Sequence, residues 1–352
     1  TIALDKRTND NGSRVFAICG LLMNNKAWDE AQRGYNYLIG KGTGNPYYIP
    51  AKVQLLKAKQ LQTEMEPGSA DFETMAQNYQ QLIDDLGKNA RTLFAIKELA
   101  LIKGKQLNQY DEAQQLLEEA MQFTGLRLED QAEIKLELAD IYLLNSNPWD
   151  AELVLSQVEK SLPNHPLAQE AKLKNAKISF FNGDFDWAKS QLDVLKASTS
   201  QLIANDALDL SLLIRDNMQR DTAGVALKAY ARAEFLRELK KNDDALKILD
   251  RITVTFPQTE LADEILLSKA KIFIAQRNTA DALKTYQELY TNYPESIWAD
   301  DALFYSAEIY EKNLKQKDQA RQLYQRLITD YSGSFYMEEA RKNFRRLRGD
   351  DI

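Results

Sequence analysis

Along most of the chain, small and apolar residues return every three or four positions, the spacing of a helix with one buried face. In ADALKTYQELYTNYP, Ala282 is followed by Tyr286 four residues on, Leu289 seven on and Pro294 twelve on. The same offsets link Ala245 to Leu249, Ile252 and Pro257, and Ala151 to Leu155, Val158 and Pro163. Ala320 leads to Tyr324, Leu327 and Ser332, Ala188 to Leu192 and Leu195, Ala113 to Leu117 and Ala120, and Ala31 to Tyr35 and Leu38. Met75, with Tyr79 and Leu82, fills the remaining interval. The anchors at 31, 75, 113, 151, 188, 245, 282 and 320 give one spacing of 57 residues and others of 37 to 44. A second helical pattern comes first: Ala100, Ala139, Ala176, Ala233, Ala270 and Ala307 each stand 12 or 13 residues before an anchor. Each unit therefore reads as helix, short turn, helix, with alanine where the two helices come closest and Tyr, Phe or Leu filling the space beside it.

The seams between units carry their own signals. In YTNYPESIWADDALFYSAEIY (290–310) Pro294 ends one helix, because proline disfavours helix at the residue before it, and Ser296 is placed to cap the next. Ser334 is placed to cap a last, charged helix, SFYMEEARKNFRRLRGDDI, which we expect to close the stack. Three irregularities interrupt the pattern. The 57-residue spacing holds an extra helix in QLIANDALDLSLLIRDN (201–217), with Ile203, Ala207, Leu210 and Ile214 on one face. It would break or bend a continuous stack, or run on through 240 as a single rod. GKGTGNPYYIP (40–50) and EMEPGSAD (64–71) are expected to be loops.

These residues resemble the tetratricopeptide repeat: a small residue in helix A, alanine opening helix B, an aromatic four later and a terminal proline. The period is a little longer than is usual for that family. Seams such as YPESIWADDA and FPQTELADEI (256–265) are similar to those of bacterial cell-envelope members such as the Tol-Pal coordinator and the barrel-assembly lipoprotein. The resemblance implies an all-α, right-handed α-α superhelix of about eight helix pairs with one extra helix and a C-terminal capping helix. The sub-arrays expected are residues 1–200 with about five repeats, the extra helix at 201–220, and 221–352 with three repeats and the cap. It also implies a concave binding surface at positions three before, one after and four after the small residue of helix A. Those are Leu136, Asp140 and Leu143; Leu173, Lys177 and Phe180; Leu267, Lys271 and Ile274; and Phe304, Glu308 and Glu311. Of the seam just quoted, Phe304, Tyr305 and Glu308 are the candidates for touching a partner.

Composition narrows the function. Only 14 glycines and 8 prolines punctuate 352 residues, a helical composition, and a formal net charge of -7 speaks against a nucleic-acid partner, which needs clustered Lys and Arg. RKNFRR (341–346) is the exception and reads as a basic helix end set against its own dipole. Cys19 is the only cysteine, so no intrachain disulfide forms, and its run VFAICGLLM is far shorter than the roughly 20 residues that span a bilayer. Without an initiator Met, and with the first repeat half starting near Ser13, the native chain is expected to be longer.

No catalytic constellation emerges. His165, the only histidine, lies between two prolines and reads as a turn residue, while GKGTG lacks the Lys-Ser/Thr ending and preceding strand of a phosphate loop. Asp300-Asp301 and Asp243-Asp244 suit the first turns of helices, and Asp84-Asp85 a helix end. Tyr286, Tyr310 and Tyr324 read as core; Tyr47, Tyr48, Tyr293, Tyr305 and Tyr336 are less constrained. No enzyme activity, cofactor or metal is therefore expected. The function expected is a protein- or peptide-binding scaffold, with a structural or self-associating module of a longer polypeptide as the alternative. A periplasmic or cell-envelope location is expected over a cytoplasmic one.

Overall fold

The computed structural model describes residues 2–8, 11–65, 72–198, 200–220 and 224–350. Among the described residues it holds nineteen α-helices and no strand. Two compact units form, Thr1–Lys172 and Leu173–Ile352. The first contains α1 (Ile2–Thr8), α2 (Ser13–Asn24), α3 (Trp28–Ile39), α4 (Tyr48–Met65), α5 (Phe72–Leu86), α6 (Leu93–Leu101), α7 (Tyr110–Met121), α8 (Leu128–Leu144) and α9 (Pro148–Ser161). The division falls within α10 (Pro166–Asn182). The second continues with α11 (Phe185–Leu195), α12 (Gln201–Arg220), α13 (Val225–Glu238), α14 (Asn242–Thr255), α15 (Ala262–Ala275), α16 (Thr279–Asn292), α17 (Ala299–Glu308), α18 (Lys317–Asp330) and α19 (Met337–Arg348). From α2 to α9 and again from α11 to α19, each helix packs on the next in the chain.

The expected break at 201–220 does not divide the units, because α12 is part of the second unit's own core. Its Ala207 and Ile214 are buried against α11 and α13 residues, with Ile203 and Leu210 partly buried beside them. It is also separate from α13: Gly224, the residue before Val225, is left-handed at φ 60°, so no single rod runs through 240. Most of EMEPGSAD lies outside the described residues, whereas 40–47 is the expected loop.

The alanine register holds the helix pairs together. The seven anchor alanines and their six partners in the preceding helices are all fully buried. Tyr35, Leu117, Leu155, Leu192, Leu249, Tyr286 and Tyr324, four residues beyond the anchors, are buried as well. The Met75 unit departs from this: Met75 is half-buried and Ala76 beside it takes the inner place, with Tyr79 and Leu82 packed as expected. In the first unit the slot twelve before Ala31 holds Cys19, whose extra sulfur is accommodated by a missing side chain opposite. A Cβ on Gly34 would come within 2.2 Å of Cys19 Sγ. Burial pushes the Cys19 thiol up to about 11, the behaviour of a packing residue.

Every turn from helix A to helix B in these seven pairs places the residue five before the anchor at positive φ: Lys26, Asn108, Ser146, Gly183, Lys240, Arg277 and Lys315. That left-handed residue closes the helix in a Schellman turn. Asn278 N–H donates to Phe273 O at 2.8 Å and Arg277 N–H to Ile274 O at 2.9 Å. Where the alanines are 13 apart rather than 12, the added residue is absorbed by a π-helical turn, Ile102–Gln106 after α6 and Ile309–Asn313 after α17. The closing bond then spans six residues instead of five at the same length: Gln109 N–H reaches Lys103 O and Gln316 N–H reaches Tyr310 O, both at 2.8 Å.

The seams correct two expectations. α17 starts at Ala299 and α19 at Met337, with Trp298 and Tyr336 at the cap positions, so Ser296 and Ser334 are not N-caps. Each hydroxyl oxygen instead accepts from the backbone N–H two residues on, at 3.1 Å, and tightens the seam turn. His165 does the same, Nδ1 accepting from Leu167 N–H at 3.2 Å, which makes it the turn residue its sequence context implied.

Two stability measurements test this packing. Gly34→Ala should lower stability by about 1–3 kcal/mol through overpacking, and Cys19→Ala in the same chain should remove most of that loss; additive effects of the two changes in urea melts would refute the pairing. Arg277→Gly should raise stability by about 0.5–1 kcal/mol by relieving the left-handed backbone, while Gly183→Ala moves the opposite way. A destabilised Arg277→Gly chain would contradict the turn geometry.

Candidate functional site

The second unit contains a hollow of about 1000 Å³. α10, α12, α13 and α15 wall it, and the seam segments 257–260 and 292–298 form its rim. The extra helix makes the space: α12 packs broadly along α11 but only narrowly on α13, so its inner face diverges from the stack. The floor has apolar patches, including Phe180, Leu213 and Leu267, yet its charges are lopsided, with nine carboxylates against three cations.

The three cations are largely engaged already. Lys177 Nζ is 3.6 Å from Asp206, Arg237 is 2.8 Å from Glu234 and 3.3 Å from Glu238, and Lys271 Nζ lies 5.8 Å from the centre of the Trp298 ring. Lys271 is reached by solvent but has protein around it on several sides; that surrounding mass, with Arg237 nearby, pushes its amine pKa down. Asp209, Asp263 and Glu264 have no ion-pair partner among the described residues. Burial raises Glu264 to about 9, helped by a hydrogen bond with Asp263 and by the charges of Asp263 and Asp216. Burial and the Asp206 charge push Asp209 upward as well. The hollow thus holds at least one carboxyl in its neutral form at pH 7.

Residues 264–296 and 301–334, which cover α15 to α18, match the tetratricopeptide repeat family. These two stretches are tetratricopeptide repeats. No curated protein matches the sequence significantly. Among solved structures, a tetratricopeptide repeat protein from Parabacteroides merdae is similar at 12% identity over 96% of this chain and 99% of that one, with a TM-score of 0.40. Pseudomonas aeruginosa pilF is 16% identical over 76% of this chain and 98% of its own, at a TM-score of 0.44. A Rap protein complexed with Competence and Sporulation Factor is 13% identical over 96% of each chain, at 0.41.

The tetratricopeptide positions expected to face inward divide by burial. The residues three before the helix-A alanine, Leu136, Leu173, Leu267 and Phe304, are all buried. Phe304 stacks on Tyr336 with ring centres 4.3 Å apart, so this candidate for touching a partner is closed by the chain itself. Tyr305 is drawn into the same cluster, its hydroxyl 3.2 Å from that of Tyr336. The charged positions are taken up locally: Asp140 pairs with Lys105 at 2.7 Å, Glu308 with Lys312, and Glu311 with Arg346. Leu143 is half-buried and Ile274 exposed. Of the twelve, the hollow brings together Lys177, Phe180, Leu267 and Lys271.

Five of the nine carboxylates were missed because they lie outside the repeat helices, Asp206, Asp209 and Asp216 on α12 and Glu260 and Glu295 in the seams; the other four come from α13 and α15, where Glu234 directly follows the helix-A alanine Ala233. A signal was present: Asp206, Asp209 and Asp216 recur at three and seven residues, which places them on one side of a helix. Among the described residues no group of three or more His, Cys, Asp and Glu is placed to hold a metal ion. No helix there is long and apolar enough to cross a membrane.

The Glu264 carboxyl makes stability depend on pH. Its folded pKa of about 9 lies above the ordinary 4.5, so the native state holds a proton that the unfolded chain releases. Its contribution is full below about 4.5 and is lost as pH rises through about 9. Glu264→Gln should therefore flatten the decline in melting temperature between pH 5 and pH 9; parallel profiles for the two chains would rule out a neutral Glu264.

Proposed function

We propose that this chain is a non-enzymatic protein-interaction scaffold that holds a segment of a partner protein in the hollow of its second unit. One observation supports this above the others. The extra helix leaves four helices facing a common space instead of each other, and repeat stacks use surfaces of this kind to bind extended or helical segments. Apolar patches supply contact area there, and fixed charges supply selectivity. A cell-envelope setting is part of the reading and rests only on the likeness of the seams at 256–265 and 293–302.

A second reading, self-association, is favoured by one feature of the surface. Ile297 and Phe335 occupy equivalent seam positions in successive repeats and are 61% and 92% exposed. Two such side chains on one edge suit a contact with another copy.

Photo-crosslinking separates the two readings. A photoreactive residue at Thr259 or Tyr293, on the rim of the hollow, should trap one partner species in the native cell. The same probe at Lys247, which is exposed and outside the hollow, should not. Crosslinking confined to position 335, with a stable dimer in light scattering, would favour self-association instead.

A further inference from the structure

Resting on the reading of the hollow as a docking site, we propose that its occupant is a lysine- or arginine-bearing segment of a protein, whose cationic head group enters between Asp263, Glu264 and the Tyr230 hydroxyl. The lining carries nine carboxylates and three cations, so its charge complements a basic ligand and repels an acidic one. Acidity alone would be an ordinary solvated surface, but two atoms here are shielded and unbonded, and the hydroxyl of a third, largely buried residue has no protein partner. Tyr230 is only 7% exposed and lines the hollow, and its hydroxyl makes no hydrogen bond among the described residues. Glu264 Oε2 and Trp298 Nε1 are shielded from solvent and likewise unbonded. Buried polar atoms are nearly always satisfied, so two shielded and unbonded ones beside a hollow mark groups that a ligand can satisfy.

The chemistry of these three groups selects the ligand. A carboxylate oxygen and a phenol oxygen accept hydrogen bonds, which an ammonium or guanidinium donates. The indole N–H donates, and so requires an acceptor such as a backbone carbonyl. A protein segment offers both, whereas a free polyamine offers only donors. A cation entering the hollow also meets Asp216 from α12 and Glu234 and Arg237 from α13, of which Glu234 and Arg237 are already paired to each other and Asp216 to Arg215. Glu264 is the group whose charge must change. With its proton held up to about 9 in the empty hollow, it ionises when a cation arrives, and binding releases a proton.

The test is calorimetric titration of the full chain with four probes: a twelve-residue peptide alternating arginine and leucine, the same peptide with citrulline for arginine, one with glutamate for arginine, and spermidine. The arginine peptide should bind, tightening by up to about tenfold per pH unit between pH 7 and pH 9, and the other three should bind at least tenfold more weakly. Glu264→Gln should remove the pH dependence, and Asp263→Asn should weaken binding about tenfold, with melting curves confirming that both chains fold. Equal binding of the citrulline peptide, tighter binding of the glutamate peptide or of spermidine, or an unchanged pH profile in Glu264→Gln would overturn the basic occupant. If the arginine peptide fails while rim crosslinks still trap a partner, the docking reading stands and this one falls. If neither is seen, both fall.

Discussion

The closeness with which two helices can approach decides the rest of this structure. In six of the pairs an alanine of helix A and an alanine of helix B are both closed off from solvent, and only small side chains permit so near an approach. Once the backbones are that near, the positions four and seven residues on have a fixed space to fill, and tyrosine, leucine or isoleucine fills it. The constraint is one of summed volume rather than of residue type. Cys19 is tolerated because Gly34 faces it, and Gly104 because Ile141 reaches into the place its side chain would take, 2.2 Å from an added Cβ. Volume-conserving exchanges of this kind cost little, whereas a one-sided change strains the contact.

The same approach dictates the turns. A pair of helices crossing this closely leaves few residues for reversal, and the chain manages it with one left-handed residue at a fixed distance from the anchor. Six of the seven positions hold Lys, Asn, Ser or Arg rather than glycine. Each accepts a conformation costing about 1–2 kcal/mol, which the packed alanine contact offsets. When one residue is added to helix A, the turn and the anchor keep their relation and the helix widens into a π-turn instead. A local irregularity of backbone is less costly here than a slipped register, because a slip would move every buried side chain of the pair.

This explains which parts were legible in the sequence. The alanine and tyrosine register is written directly in residue spacing, so helix pairs, the period and the extra helix could all be read. Left-handed turns could not, because the usual glycine marks only Gly183. Ser296 and Ser334 were misread because a serine before a helix looks the same whether it caps the helix or tightens the turn in front of it; only the start of α17 and α19 separates the two. The candidate binding positions were the least legible. Positions carried over from the family describe a surface, but Leu136, Leu173, Leu267 and Phe304 are buried by neighbours that spacing alone does not reveal. Glu311 and Asp140 are similarly spent on the chain's own cations.

The hollow follows from the one place where the repeat rule is suspended. α12 has an apolar side, with Ala207 and Ile214 in the core, and an acidic side carrying Asp206, Asp209 and Asp216. Packing the first side on α11 satisfies the helix, and the second is then left facing α13 and α15, which contribute Glu234, Asp263 and Glu264. Carboxylates brought together this way, partly out of water, repel one another more strongly than they would at a surface. The chain relieves that repulsion in two ways: ion pairs such as Arg237 with Glu234, and retention of a proton on Glu264 where no cation is within reach. The second is a weaker solution than the first, since a neutral carboxyl with an unbonded oxygen remains short of a partner. An incoming cation would do for Glu264 what Arg237 already does for Glu234, and the extra helix is what keeps the space open for it.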